Sequence, residues 1–328
     1  MRKVVYSLIP IFLYSVLLYG WRSLWVTAVV FAFGIGTEYL FIHKTKKKVS
    51  EAVLVTSALY ALSMPPAVPW WIAALGIVFG VGFGKMIYGG FGRNIFNPAI
   101  AGRLFVYVTF PDGLQRSFLP PWQPGMPWRF GLDTGVDALT AATPLMQMKE
   151  GSIPDLMTLV GGFRIGSLGE SAAILIILAG IYLIWTKTAN WKIILSTLFS
   201  FSAVNLGLWW AGITPTGSSL PFPPVESLFA GSILYVAVFM VTDPVSAPKK
   251  PGAQWAYGLL IGGTTAAIRI FSLFPEGVSF GVLLGNTFAS LLDEWFPAAK
   301  KKKKKVKVSP ALAPQVPPAV DQTKGAAS

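Results

Sequence analysis

Long apolar stretches, parted by short runs of Lys and Arg, constrain this chain more than any other feature. A helix needs about 17 to 25 mainly apolar residues to cross the hydrocarbon core of a bilayer, because lipid satisfies no backbone N–H or C=O. Ten stretches approach that length. They run roughly Val4–Tyr19, Ser23–Ile42, Glu51–Met64, Trp70–Tyr88 and Ile95–Phe110, then Ser171–Thr186, Trp191–Ala211, Val225–Val241, Gln254–Ile270 and Gly277–Phe296. At 53% hydrophobic and 12% charged residues, the composition is too apolar for an ordinary soluble domain. The expected fold is an all-α polytopic membrane protein of about ten transmembrane helices. Met1-Arg2-Lys3 is read as the start of the first helix, since no small-residue cleavage site precedes the next span.

Four regions follow: residues 1–110 as a first five-helix half, 111–169 as a polar loop, 170–297 as a second five-helix half, and 298–328 as a Lys-rich tail. The tail, with Pro, Ala and Val lacking periodicity, is expected to be disordered, its lysines touching anionic membrane lipid. The net charge of +13 collects in short runs between spans. With both termini cytoplasmic, Arg2/Lys3, His43–Lys48, Arg93, Lys187/Lys192, Lys249/Lys250 and Lys300–Lys305 share one side, as the positive-inside rule requires, and the 111–169 loop is expected to be extracytoplasmic. Nucleic acid is not an expected partner. With no cysteine there is no disulfide, iron-sulfur ligand or thiolate, and with a single histidine no metal centre is expected.

A weak internal repeat supports the division. Trp71 precedes Lys85 by fourteen positions, as Trp255 precedes Arg269, and Asn94-Ile-Phe96 is echoed by Asn286-Thr-Phe288. Because each half holds an odd number of spans, the copies must be inverted, a plan common among transport proteins.

Polar stretches interrupt this pattern at a few places. Asp137-Ala-Leu-Thr140-Ala141-Ala142-Thr143-Pro144 offers a carboxylate, hydroxyls and small neighbours, suited either to modification or to an ordinary helix start. Gly89-Gly90-Phe91-Gly92-Arg93-Asn94-Ile95-Phe96-Asn97-Pro98-Ala99 is a glycine-rich turn entering a helix, fit for an anion or a flavin edge, or for close helix packing. Arg103 follows inside a span, where a cation needs a partner, a cavity or a cofactor. Thr242-Asp243-Pro244-Val245-Ser246-Ala247-Pro248 places a carboxylate near the membrane surface, as a cap or a cation ligand. Arg269 is expected to pair with Glu276 at the outer surface. Trp122 and Trp128 either cover a flat cofactor or pack the loop onto the membrane.

Together with Phe274-Pro275-Glu276-Gly277 and Asn286-Thr-Phe288-Ala289, these motifs resemble the RnfD/NqrB family over nearly all of residues 1–297. The resemblance implies a redox subunit, and thus part of a translocase, with FMN esterified through its phosphate to Thr143. Asp137, Thr140, Ala141 and Ala142 would complete the motif read by an FMN transferase. It also implies a second, non-covalent riboflavin or FMN between the helices, for which Arg93, Asn94, Asn97, Arg103, Thr242 and Asp243 are the candidates. No catalytic residue is assigned, Thr143 being a tether. Because the first span begins almost at once, the chain is expected to be closest to the RnfD component of the Rnf complex, coupling ferredoxin:NAD+ electron transfer to Na+ or H+ movement in the cell (inner) membrane. The alternatives are the NqrB component of a sodium-translocating NADH:quinone reductase, a small-solute channel or carrier, and a scaffold without cofactor.

Overall fold

A computed structural model describes residues 1–43, 48–122, 142–218, 220–272 and 277–297. Among these the regular structure is entirely helical, with no strand. The first helix, α1 (Arg2–Tyr19), meets α2 (Trp21–Ile42) through the single residue Gly20, whose φ of 64° lets the chain reverse in one step. The following helices are α3 (Glu51–Leu62), α4 (Trp70–Val81, extended by a π turn over Gly82–Met86) and α5 (Pro98–Thr109). Residues of the expected polar loop form three short helices, α6 (Pro111–Gln115), α7 (Pro144–Lys149) and α8 (Leu156–Gly161). The second half contains α9 (Ala173–Trp185), α10 (Trp191–Trp210), α11 (Pro224–Phe229), α12 (Ile233–Phe239), α13 (Pro251–Phe271) and α14 (Val278–Trp295).

Three of these, α1, α2 and α10, are long and apolar enough by themselves to cross a membrane. Every other expected span coincides with helix, but α3, α4 with its π turn, α5 and α9 are shorter, and the eighth span is broken. Val225–Val241, expected as one helix, divides into α11 and α12 at Ala230-Gly231-Ser232, where Gly231 has φ 86°. Carbonyls released by the break are not stranded. Arg269 Nη1 donates to Ser227 O at 2.9 Å and to Ala230 O at 3.1 Å, which is how interrupted helices persist away from water.

Packing partners recur in the two halves: α2 lies on α3 and α4, and α4 on α5, as α10 lies on α12 and α13, and α13 on α14. Small residues make the contacts close. A Cβ on Gly102 of α5 would strike the Gly76 carbonyl oxygen of α4, and one on Gly262 of α13 would strike the Thr197 carbonyl oxygen of α10. The halves join through α1 with α9 and α5 with α14. The buried Tyr235 also donates to Leu59 O at 3.2 Å.

The residues after α5 fold back onto the helix ends. Trp122 N donates to Leu18 O (2.9 Å), Ala67 N to Ser117 O (3.0 Å) and Leu168 N to Met64 O (3.0 Å). Backbone bonding of this kind ties the segments on either side of α7 to the bundle.

Candidate functional site

At one end of the bundle, helix ends from both halves enclose a cavity of about 130 Å³. Its wall includes Asn94, Asn97, Thr242 and Asp243, four of the six residues singled out for a second flavin, with Phe91, Lys85 and apolar side chains of α3, α9 and α12. The turn before α5 needs glycine for its backbone: Gly89, Gly90 and Gly92 have φ of 98°, 98° and 89°. Close helix packing does not account for them, since a Cβ on Gly90 or Gly92 would meet nothing within 4 Å.

Asn97 ties this end together. Its Oδ1 caps α5 by accepting from Ala99 N (3.0 Å) and Ile100 N (3.4 Å), and its Nδ2 donates to Met240 O (2.9 Å). Its own N–H donates to Asn286 Oδ1 (3.0 Å), while Asn286 Nδ2 donates to Tyr257 Oη (2.6 Å). Asp243 accepts from Ser246 Oγ at 2.8 Å and from the backbone N–H groups of Val245 and Ser246. It is therefore an Asx-type cap whose carboxylate also reaches the cavity. Burial raises its pKa above the ordinary carboxylate value, against the lowering effect of Ser246 and of the Asn94 amide.

Arg93 and Arg103 do not join them. Arg93 is exposed and its side chain lies beside Gly89. Arg103 is buried further along α5 and is not among the residues that line the cavity. In its place the cavity has Lys85, whose Nζ lies 2.6 Å from Glu38 Oε2 and 2.8 Å from Ser50 Oγ. The sequence signal for this pair is a carboxylate and a lysine within otherwise apolar spans.

A second, smaller cleft of about 50 Å³ lies at the opposite end of α5, bounded by Tyr107, Gln115, Phe118, Thr143, Ser167, Glu170 and Gly231. From Asn97 to Tyr107 the helix rises roughly 15 Å. Thr143 is half-buried and caps α7, Oγ1 accepting from Met146 N at 3.4 Å, with Pro144 at the first helical position. Gln147 Nε2 holds the Ala142 carbonyl at 3.1 Å. Helix-start chemistry and a modification site are thus compatible in one residue. A phosphoester would replace the hydroxyl hydrogen and leave the oxygen able to accept from Met146. Asp137, Thr140, Ala141 and Trp128 lie outside the described residues.

Behind this cleft Arg164 donates to Glu170 O (2.8 Å) and to Phe229 O, and burial lowers its pKa from the ordinary value while leaving it charged. Lys149, at the end of α7, donates to Ser272 O at 3.0 Å. Arg269 is fully buried and engaged with the broken helix, so it does not stand at an outer surface as expected, and Glu276 lies outside the described residues. Nothing in the sequence marks Arg164 and Glu170, because there they look like ordinary loop charges.

The model of the NQR2, RnfD, RnfE family matches residues 1–302. The chain is 33% identical over 291 residues to NqrB of the Na(+)-translocating NADH-quinone reductase of Pseudoalteromonas atlantica, covering 86% of this chain and 68% of that protein. The protein of the same name from Yersinia pestis is 34% identical over 294 residues, again 86% and 68%. That of Azotobacter vinelandii is 33% identical over 287 residues, 85% and 68%. Matched through all of its described helices, the chain belongs to the NQR2, RnfD, RnfE family.

Proposed function

We propose that this chain is the FMN-bearing membrane subunit of an ion-translocating oxidoreductase complex, passing electrons between partner subunits. The observation that carries the reading is Thr143, a half-buried hydroxyl that caps a helix start, in the position that the family motif gives to the attachment site. Of the two assemblies expected from sequence, the relatives' names favour the sodium-translocating NADH-quinone reductase, with this chain as its NqrB component, over the Rnf complex with this chain as RnfD. The Rnf expectation rests only on how soon the first span begins.

FMN supplies the redox chemistry, accepting one or two electrons. The chain's own residues place it: Thr143 tethers, α7 and its Gln147 bond order the tether, and Asp137, Thr140, Ala141 and Ala142 serve recognition by an FMN transferase. At the other end Asn94, Asn97, Thr242 and Asp243 offer an amide, hydroxyl and carboxylate set, beside the aromatic Phe91, for a second, non-covalent riboflavin or FMN. Residues 1–110 and 170–297 are read as inverted halves in the inner membrane, with both termini cytoplasmic and the Thr143 cleft outside. A channel or carrier on the same plan would have no use for the Thr143 motif.

Co-expression with an FMN transferase, followed by in-gel flavin fluorescence and intact mass, tests the central claim. Fluorescence with the mass of one FMN adduct is expected, both lost in Thr143→Ala. An unmodified chain, in cells where a control acceptor is modified, would leave the scaffold reading in its place.

A further inference from the structure

Beside the Asp243 loop, an open cleft of about 520 Å³ lies between the end of α9 and the starts of α10 and α13. Small-ligand clefts span about 300–1,000 Å³. Three lysines line it, each from a different segment: Lys187 just after α9, Lys192 in the first turn of α10 and Lys249 just before α13. Among the described residues the ion pairs are Arg2–Glu51 and Lys85–Glu38, so none of the three ammonium groups has a carboxylate of its own. The nearby carboxylates are engaged with other donors. Asp243 accepts from Ser246 Oγ (2.8 Å) and its own loop, and Asp293 from the backbone N–H groups of Lys249 (2.8 Å) and Lys250 (2.9 Å).

Lys187 carries a second signal. Its φ is 54°, and it is the one non-glycine residue with positive φ among the described residues. Lys187 N donates to Ile184 O (3.0 Å) and Thr188 N to Leu183 O (2.9 Å), the paired bonds that close a helix through a left-handed residue. Glycine takes that position without strain. A cation at a helix C-terminus is favourable, yet a lysine one residue to either side would give the same benefit in an ordinary conformation. The strained position brings the side chain to the cleft that Lys192 and Lys249 also line.

The level of the cleft identifies what it meets. α10 is long and apolar enough to cross a membrane and begins at Trp191, so the cleft opens where that span leaves the hydrocarbon. Exposed indoles surround it: Trp185 ends α9, and Trp191 meets Trp255 of α13 edge to face at 6.1 Å. Tryptophan collects at the headgroup level of a bilayer. Lys192 Nζ, 5.9 Å from the Trp191 ring, stands at that same level, while Ile184 and Ile193 give the cleft an apolar side. We propose that this cleft binds the headgroup of an anionic phospholipid, its phosphodiester held by Lys187, Lys192 and Lys249. Basic pockets between membrane helices recognise such headgroups, and nothing in this site depends on a flavin.

The test is native mass spectrometry of the full, delipidated chain in detergent, titrated with phosphatidylglycerol or with phosphatidylcholine. Lys300–Lys305 are changed to Gln in every sample, so that their charge adds nothing to the signal. The first phosphatidylglycerol should bind in preference to phosphatidylcholine, and its affinity should fall about fivefold for each lysine neutralised in Lys192→Gln, Lys249→Gln and Lys187→Gly. Lys187→Gly should melt no lower than the parent in detergent alone, which separates the loss of lipid from a loss of fold. Equal binding of the two lipids by the parent would overturn the proposal and leave the cleft to an acidic segment of a protein partner. Unchanged phosphatidylglycerol binding in the three variants would overturn it as well. Displacement of the lipid by an equimolar amount of inorganic phosphate would overturn it in favour of a soluble anion.

Discussion

Asn97 concentrates more of the cavity's order than any other side chain there. It caps α5, holds the Met240 carbonyl at the end of α12, and through its N–H meets Asn286 of α14. Removing a cap costs about 1 kcal/mol, and stranding a buried carbonyl about 1–3 kcal/mol. Asn97→Ala should therefore destabilise the chain by about 2–4 kcal/mol, read as a lowered melting temperature in detergent, and a variant that melts with the parent would show these bonds to be idle. Its capping role is legible in Asn97-Pro98, since an Asn before a Pro at the first helical position is a known start signal. Its bonds to Met240 and Asn286 are not, because residues 143 and 189 positions apart leave no local trace. The same holds for Lys85 and Glu38, whose pairing joins two helices 47 positions apart.

At the scale of elements, α4 and α5 approach so closely that their glycines become part of the interface. A methyl on Gly102 has only the Gly76 carbonyl oxygen and the Tyr60 ring to move into, whereas one on Gly36 of α2 would meet nothing within 4 Å. Gly102→Ala is expected to cost about 1–3 kcal/mol through overpacking. Gly36→Ala should stay within about 1 kcal/mol of the parent, in the stabilising direction, because it only removes backbone freedom. Comparing the two by thermal unfolding separates packing from helix propensity, and equal losses would refute the close approach. The break between α11 and α12 is hidden in sequence for a related reason. Val225–Val241 is apolar enough to read as one helix, and its interruption depends on a guanidinium supplied from α13.

For the molecule as a whole, the two candidate flavin positions lie at opposite ends of α5, one framed by residues assigned to the cytoplasmic side and one by the polar loop. The chain contains no cysteine, so single cysteines report topology without background. Ser152 and Lys249 are both exposed, near the Thr143 cleft and near the Asp243 loop respectively. An impermeant maleimide applied to intact cells should label Ser152→Cys at once and Lys249→Cys only after lysis. The reverse pattern would put Thr143 in the cytoplasm. Where most helices lie, where several of them begin and where the Thr143 motif stands were all within reach of the amino-acid order, because hydropathy, capping and a contiguous motif are local properties. Which polar residues share a cavity, that Arg103 is excluded from it and Lys85 admitted, and that one span is broken were decided by tertiary structure alone. Those outcomes depend on which helix ends come together and on which buried cation can reach a carbonyl or carboxylate in need of a donor, and only the packed bundle sets those distances.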